Sequence, residues 1–113
     1  MKTKIVCISD THHKHSKVII PDGDVLVHAG DCTNMGSLND LRDFAKWLDR
    51  LPHQNKICIA GNHDFCFQNE LAKSRKILEN SCTYLHGESA VIDGLKFYGF
   101  PWQPRFGHWA FNV

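Results

Sequence analysis

Each of three short apolar runs in this chain is followed directly by side chains of the kinds that bind metal ions. These side chains are, in chain order, Asp10, His12, Asp31, Asn62 and His63. Apolar runs of this length, bounded by turn residues, predict buried β-strands. Ligands of open α/β sheets bind at the carboxyl ends of the parallel strands. The sequence therefore predicts a metal centre at that edge of a parallel sheet.

The donors suit a pair of ions. Two divalent ions about 3.5–4 Å apart need an anion between them, and Asp31, at the exit of the middle strand, is the candidate bridge. Asp10 and His12 are separated by one residue. In extended backbone the side chains of residues i and i+2 point to the same side, so both can bind the first ion. Asn62 offers a neutral oxygen to the second ion. Mixed carboxylate, imidazole and amide donors favour manganese, iron or zinc.

These groups predict hydrolysis of phosphate esters. Divalent ions lower the pKa of bound water toward about 7 and neutralise the oxygens of a phosphate ester. His63 follows Asn62 directly and can protonate the leaving oxygen as a general acid. The expected substrate is a phosphodiester or a phosphomonoester, and a nucleotide is one candidate.

The segment between the second and third predicted strands has the pattern of an amphipathic helix. Apolar residues recur at helical spacing over residues 38–51, Ser37 is a good N-cap and Pro52 ends the helix. A helix between two parallel strands forms a right-handed βαβ crossover. The sequence therefore predicts an α/β fold with this helix packed on the sheet.

The second half of the chain carries weaker signals. Asn69 is the expected cap of a second helix that runs to about Glu79. A short strand follows at residues 83–85, and Asp93-Gly94 predicts a β-hairpin between two apolar runs. Residues 101–113 are aromatic, contain two prolines, and are typical of an active-site loop.

Composition bounds the class of protein. The chain has 113 residues and a net charge of +1, which suits one domain over residues 1–113 and gives no basic surface for nucleic acid. We expect a cytoplasmic protein without a membrane partner, because no apolar run approaches a signal core or a span of roughly 20 residues. Five cysteines without a CxxC pair argue against a disulfide framework or a structural zinc module. Cys7 and Cys58 are expected in the core.

The three motifs together resemble those of the calcineurin-like metallophosphoesterase superfamily. They are Asp10-x-His12, Gly30-Asp31 and Gly61-Asn62-His63-Asp64. The neighbouring segments 8–12, 23–31 and 98–102 look like those of its metallophosphoesterase-domain-containing proteins. The resemblance implies a four-layer α/β/β/α sandwich and a metal-dependent phosphoesterase with two ions. It assigns Asp10 and His12 to the first ion, Asp31 to the bridge, Asn62 to the second ion and the substrate, and His63 to the leaving oxygen.

The family pattern continues with a lone histidine and a GHxH motif, which residues 1–113 do not contain. Gly107-His108 resembles the start of that motif, but Ala110 occupies the position of its second histidine. We therefore expect the N-terminal half of the domain, truncated at its C-terminus, with a weak second metal site. Half a sandwich exposes one apolar sheet face, which favours self-association or binding of a complementing C-terminal half.

An alternative function is a truncated, catalytically weak or inactive remnant that binds metal or a nucleotide without turnover. Other residues have simpler expected roles. His28 is expected to be a hydrogen-bonded core histidine, and Asp64 a structural acid behind the site. His13 and His15 are expected in a loop, where they can face substrate, and Trp102 either lines the substrate pocket or packs against the fold.

Overall fold

The computed structural model describes residues 2–113. Four parallel strands form one sheet in the order in which they occur along the chain, and two further strands form an antiparallel hairpin. The sheet strands are β1 (Ile5–Ile8), β2 (Val25–His28), β3 (Asn55–Cys58) and β4 (Thr83–Tyr84), and the hairpin strands are β5 (Glu88–Ile92) and β6 (Leu95–Gly99). The chain is therefore an α/β fold built on a parallel sheet, as predicted.

The helix between β2 and β3 begins as the sequence predicts. It is α1 (Leu38–Asp49), and the Ser37 hydroxyl accepts a hydrogen bond of 3.0 Å from the Asp40 N–H. This bond satisfies one of the backbone donors that a helix start leaves without an intrahelical partner. The centre of the apolar stripe, which includes Leu41 and Phe44, is buried in the main core, and Leu38 and Leu51 at its ends are partly buried against that core. The crossover helix thus packs on the sheet and fixes the spacing of β2 and β3.

The prediction of one helix capped by Asn69 is wrong. The segment forms two helices, α2 (Phe65–Asn69) and α3 (Leu71–Leu78), so Asn69 ends the first of them. The buried Ser74 hydroxyl contacts the carbonyl oxygens of Cys66 and Glu70 at 3.0 and 2.9 Å. A tertiary contact of this kind can satisfy backbone groups at a break between helices, and side-chain pattern alone does not reveal it.

The hairpin covers the second face of the sheet. The Asp93-Gly94 prediction is confirmed, with φ of 53° and 76° at the two turn residues. Three core residues of the sheet side pack against side chains of the hairpin: Val25, Ile57 and Leu85 against Ala90, Ile92 and Phe97. Residues 2–113 therefore form three layers of the expected sandwich, in the order helix, parallel sheet, hairpin.

Exposed apolar side chains lie at the β1 edge and on the outer side of the hairpin. Cys7, expected in the core, is exposed, because β1 is an edge strand and the hairpin cluster contains none of its residues. Cys58 is buried, as expected. Val91 and Tyr98 on the hairpin are 68% and 62% exposed. The outer side of this two-stranded sheet is therefore exposed, and self-association or binding of a complementing half stays a prediction.

Within residues 2–113, none of the helices combines the length and the apolar character that crossing a bilayer requires.

Candidate metal centre

The three strands end level with one another, and this brings their exit loops together. Ile8 pairs with His28, and His28 pairs with Cys58, across the β1–β2 and β2–β3 ladders. Residues that follow these pairs by two to five positions therefore meet at the carboxyl edge of the sheet. The predicted donors lie in these loops.

Three of the predicted residues converge closely. His12, Asp31 and His63 each offer one ligand atom, and these atoms all lie within 4.8 Å of one another. His12 Nε2 is 3.7 Å from Asp31 Oδ2, and the His12 and His63 rings meet edge to face with centroids 4.5 Å apart. Two imidazoles and a carboxylate are a donor set that manganese, iron and zinc accept. The residues present therefore fit a divalent transition metal ion.

Asp10 lies beside this cluster. Its Oδ1 is 3.9 Å from His12 Nε2, and its side chain is 64% exposed. The Ser9 hydroxyl donates a hydrogen bond of 2.6 Å to the other carboxylate oxygen and lowers the pKa of Asp10. The carboxylate is thus accessible and favours its charged form, which a metal ligand requires.

Asn62 and His63 enter the site from β3. Within residues 2–113 the Asn62 side chain makes no hydrogen bond to protein, so its oxygen is free for an ion, and its backbone carbonyl accepts from the Ala110 N–H at 3.0 Å. His63 Nδ1 is 2.9 Å from the Asn34 carbonyl oxygen. A carbonyl only accepts, so Nδ1 carries the proton and Nε2 is left for a metal or a substrate.

The prediction that Asp10 and His12 lie in extended backbone is wrong. Both adopt left-handed conformations, with φ of 57° and 44°, and Asp31 does the same with φ of 58°. The two exit loops are joined by backbone hydrogen bonds of 2.9 Å, from Asp10 N–H to the Gly30 carbonyl and from His12 N–H to the Asp31 carbonyl. Strained conformations of this kind persist where the surroundings fix them, and they cluster at functional sites.

Asp64 holds the second and third exit loops together. It is fully buried, and its carboxylate accepts hydrogen bonds from the backbone N–H groups of Asp31, Cys32, Thr33 and Gly61. The Thr33 hydroxyl donates a further bond of 2.6 Å. Each of these groups is a donor, which suits a carboxylate, because an ionised carboxylate only accepts. Asp64 thus has the structural position that the sequence predicts for it.

Burial raises the pKa of Asp31, the residue that is predicted to bridge two metal ions. Asp31 is 7% exposed, and this burial raises the pKa of its carboxyl group, while a hydrogen bond of 2.9 Å from the His63 N–H opposes the rise. Removal from water penalises the charged form of a carboxylate, and a nearby cation restores it. The position is therefore one where a bound cation would be strongly favoured.

Close backbone approach requires glycine beside Asp31. A Cβ placed on Gly61 would overlap both Oδ1 and the backbone nitrogen of Asp31. A Cβ on Gly30, which has a φ of 107°, would meet the backbone of Gly61 at 2.9 Å. The glycines of the two motifs therefore allow close backbone contact between the loops that follow β2 and β3.

His28 is a core histidine, as expected. Nδ1 accepts from the Gly30 N–H at 3.3 Å, and Nε2 lies 3.0 Å from the Thr11 hydroxyl. Burial lowers the pKa of His28 to about 4. The ring is neutral at pH 7 and supports the loops on either side of the site.

His13 and His15 do not have equivalent positions. His15, expected in a loop where it could face substrate, begins a 3-10 turn (His15–Lys17) and is 1% exposed. Its Nε2 is 3.0 Å from Asp43 Oδ2, and His13 Nε2 is 3.1 Å from the same oxygen. Burial lowers the pKa of His15. Asp43 of α1 thus anchors the loop that carries His12.

Trp109 was missed by the sequence reasoning. Its indole stacks on His63 with centroids 4.0 Å apart and an interplanar angle of 30°. Trp102, the residue considered for the substrate pocket, instead contacts His86 edge to face at 5.0 Å. The aromatic character of residues 101–113 was the available signal, but it does not reveal which tryptophan faces the site.

Comparison with known proteins gives consistent matches along the chain. The profile of the calcineurin-like phosphoesterase family matches residues 3–111. Human metallophosphoesterase domain-containing protein 1 is 35% identical over an alignment that covers 98% of this chain and 41% of that protein. A UPF0046 protein of Caenorhabditis elegans is 42% identical, with 98% of this chain and 45% of that protein covered. A probable rhamnogalacturonate lyase C of Emericella nidulans is 40% identical, with 96% and 11% covered.

These matches cover nearly all of this chain but less than half of each relative. The chain spans about two fifths of the length of the human and nematode relatives. The family match nevertheless includes the exits of β1, β2 and β3 and therefore all five predicted site residues. The protein belongs to the calcineurin-like phosphoesterase family.

Proposed function

We propose that this chain hydrolyses phosphate esters with the help of divalent metal ions. The observation that carries the proposal is the convergence of His12, Asp31 and His63 at the carboxyl edge of a parallel sheet. Family membership supports metal-dependent phosphoester hydrolysis in general. Bound ions would supply activation of water and charge for the phosphate oxygens.

The residue roles follow from chemistry and position. Asp10 and His12 would hold a first ion, Asn62 would hold a second, and Asp31 would be the ligand that the two ions share. Asn62 also contacts the phosphate. As the imidazolium, His63 would donate the Nε2 proton to the leaving oxygen and become the neutral ring, while its Nδ1–H bond to the Asn34 carbonyl holds the ring in place. Manganese, iron or zinc are the expected metals.

The test is hydrolysis of bis(p-nitrophenyl) phosphate by the 113-residue chain with and without Mn²⁺. Asp31→Asn removes the bridging charge but keeps an oxygen that can accept from the His63 N–H, so the variant should fold and lose at least 100-fold in activity. Asp22→Asn, at an exposed position, is the matched control and should keep full activity. Wild-type protein that is folded and inactive with Mn²⁺, Fe²⁺ and Zn²⁺ would refute the proposal.

A second candidate is a chain that binds one ion, or a nucleotide, without turnover. One observation favours it: within residues 2–113, histidine and carboxylate ligands converge in a single group. A catalytic ion usually has three protein ligands, and here the second ion has Asp31 and Asn62. Equilibrium dialysis with Mn²⁺ separates the candidates, because two ions per chain support the hydrolase and one ion without activity supports the alternative.

A further inference from the structure

An open cleft lies next to the candidate metal centre. It has a volume of about 360 Å³ and is lined by Met35, Phe65, His108 and Trp109. Small-molecule sites are typically clefts of about 300–1,000 Å³ that combine apolar walls with a few polar groups. Three of the four lining side chains are apolar or aromatic, so the cleft has that character.

The cleft adjoins His63 through Trp109. Trp109 forms part of its wall and stacks on the His63 ring at 4.0 Å. Met35 follows Asn34, whose carbonyl accepts the hydrogen bond from His63 Nδ1. A group bonded to the leaving oxygen of an ester at the metal centre would therefore lie at the entrance of the cleft.

The Trp109 wall is held in place before any ligand binds. Backbone hydrogen bonds of 3.0 Å join Ala110 N–H to the Asn62 carbonyl and Gln103 N–H to the Phe111 carbonyl. Ala110 and Phe111 are buried, and the Phe111 N–H also donates to the Gln68 side chain. A surface fixed in this way loses little conformational entropy when it binds a ligand.

We infer that this cleft binds the leaving group of the substrate and selects esters whose leaving group carries an aromatic ring. The inference rests on the proposed function, since the phosphate must lie at the metal centre. Flat tryptophan and phenylalanine surfaces favour stacking with aromatic rings. Met35 is 56% exposed, and its flexible thioether can contact the edge of such a ring. An aliphatic leaving group would fill the cleft poorly.

The experiment compares binding of benzylphosphonate and ethylphosphonate to the Mn²⁺-loaded chain by isothermal titration calorimetry. Both probes have C–P bonds that resist hydrolysis, and they differ by a ring in place of a methyl group. We expect roughly tenfold tighter binding of benzylphosphonate, since an aromatic pair and its burial are together worth about one power of ten in affinity. Trp109→Leu should abolish this preference, and Trp102→Leu, which replaces the tryptophan next to His86, should retain it.

A second variant protects the test against misfolding of Trp109→Leu. Met35→Ser changes an exposed side chain, should fold normally, and should reduce the preference about threefold. Equal binding of both probes by the wild type, or an unchanged preference in Trp109→Leu and Met35→Ser, would overturn the inference. Ethylphosphonate binding reports the metal centre alone, so its presence without a preference refutes only the cleft. Absence of binding by both probes refutes the proposed function as well.

Discussion

Replacing Asp64 by asparagine should destabilise the whole edge of the sheet that carries the site. Oδ2 of Asp64 accepts hydrogen bonds of 2.9 Å from the Asp31 N–H and the Gly61 N–H, and one of 3.3 Å from the Cys32 N–H. Oδ1 accepts from the backbone and hydroxyl of Thr33. In Asp64→Asn the amide oxygen can serve Thr33, but the NH₂ group then faces three N–H donors.

The magnitude follows from the two short bonds that are lost. Hydrogen bonds to a charged group contribute about 1.5–3 kcal/mol each, and a buried donor without a partner adds its own desolvation cost. Two such bonds give about 3–6 kcal/mol, a large part of the 5–15 kcal/mol that stabilises a typical domain. The loss should also weaken Mn²⁺ binding, because the Asp31 and Gly61 loops are no longer joined.

The assay is urea unfolding of wild type and variant, followed by far-UV circular dichroism. Asp22→Asn is the matched control, since it makes the same chemical change at an exposed position and should alter the free energy of unfolding by less than about 0.5 kcal/mol. An Asp64→Asn variant within about 1 kcal/mol of wild type, with unchanged Mn²⁺ affinity, would show that Asp64 does not organise the site.

Two further predictions concern the residues around Asp31. Folding depresses the pKa of His28 from 6.5 to about 4, so the unfolded chain takes up the proton first as pH falls, and stability declines below pH 6.5 until about pH 4. Between pH 7.5 and pH 5 the free energy of unfolding should fall by about 2 kcal/mol because of His28. In His28→Asn, the pH dependence of urea unfolding should be smaller by that amount. An equal pH dependence in the variant would contradict the lowered pKa of His28. Gly61→Ala should displace Asp31 and reduce Mn²⁺ affinity at least tenfold in a titration, because its Cβ overlaps backbone and carboxylate of Asp31. Gly94→Ala, with no atom within 4 Å of the added Cβ, is its control and should leave Mn²⁺ affinity unchanged even though its φ of 76° costs about 1 kcal/mol.

Local patterns determined most of the fold. Apolar runs that end at glycine or a carboxylate formed three parallel strands, and Asp93-Gly94 formed the hairpin turn. Ser37 capped the crossover helix, which ends at Asp49, three residues before Pro52. These signals succeed because each depends on a residue and its immediate neighbours. The break at Asn69 was not predictable in this way, because the Ser74 hydroxyl, eight residues from Cys66, contacts the carbonyls at the break.

The residue types of the candidate site could likewise be predicted from the sequence. The positions and contacts of their side chains could not. Residue type and position at strand ends identified His12, Asp31 and His63, and strand pairing brings any such residues to one edge. The exposed position of Cys7 depends on β1 being an edge strand, and the burial of His15 depends on Asp43, 28 residues away. Such positions are set by neighbours distant in the chain.

The sequence by itself determined that carboxylate, imidazole and amide groups would gather at the ends of parallel strands in an α/β fold of this family. Only the tertiary structure decided how they are held: the left-handed backbone of Asp10 and His12, the Asp64 carboxylate between two loops, and the indole of Trp109 on His63. The physical reason is that side-chain identity fixes what a group can bind. Its orientation depends on hydrogen bonds and packing from segments that only folding brings together.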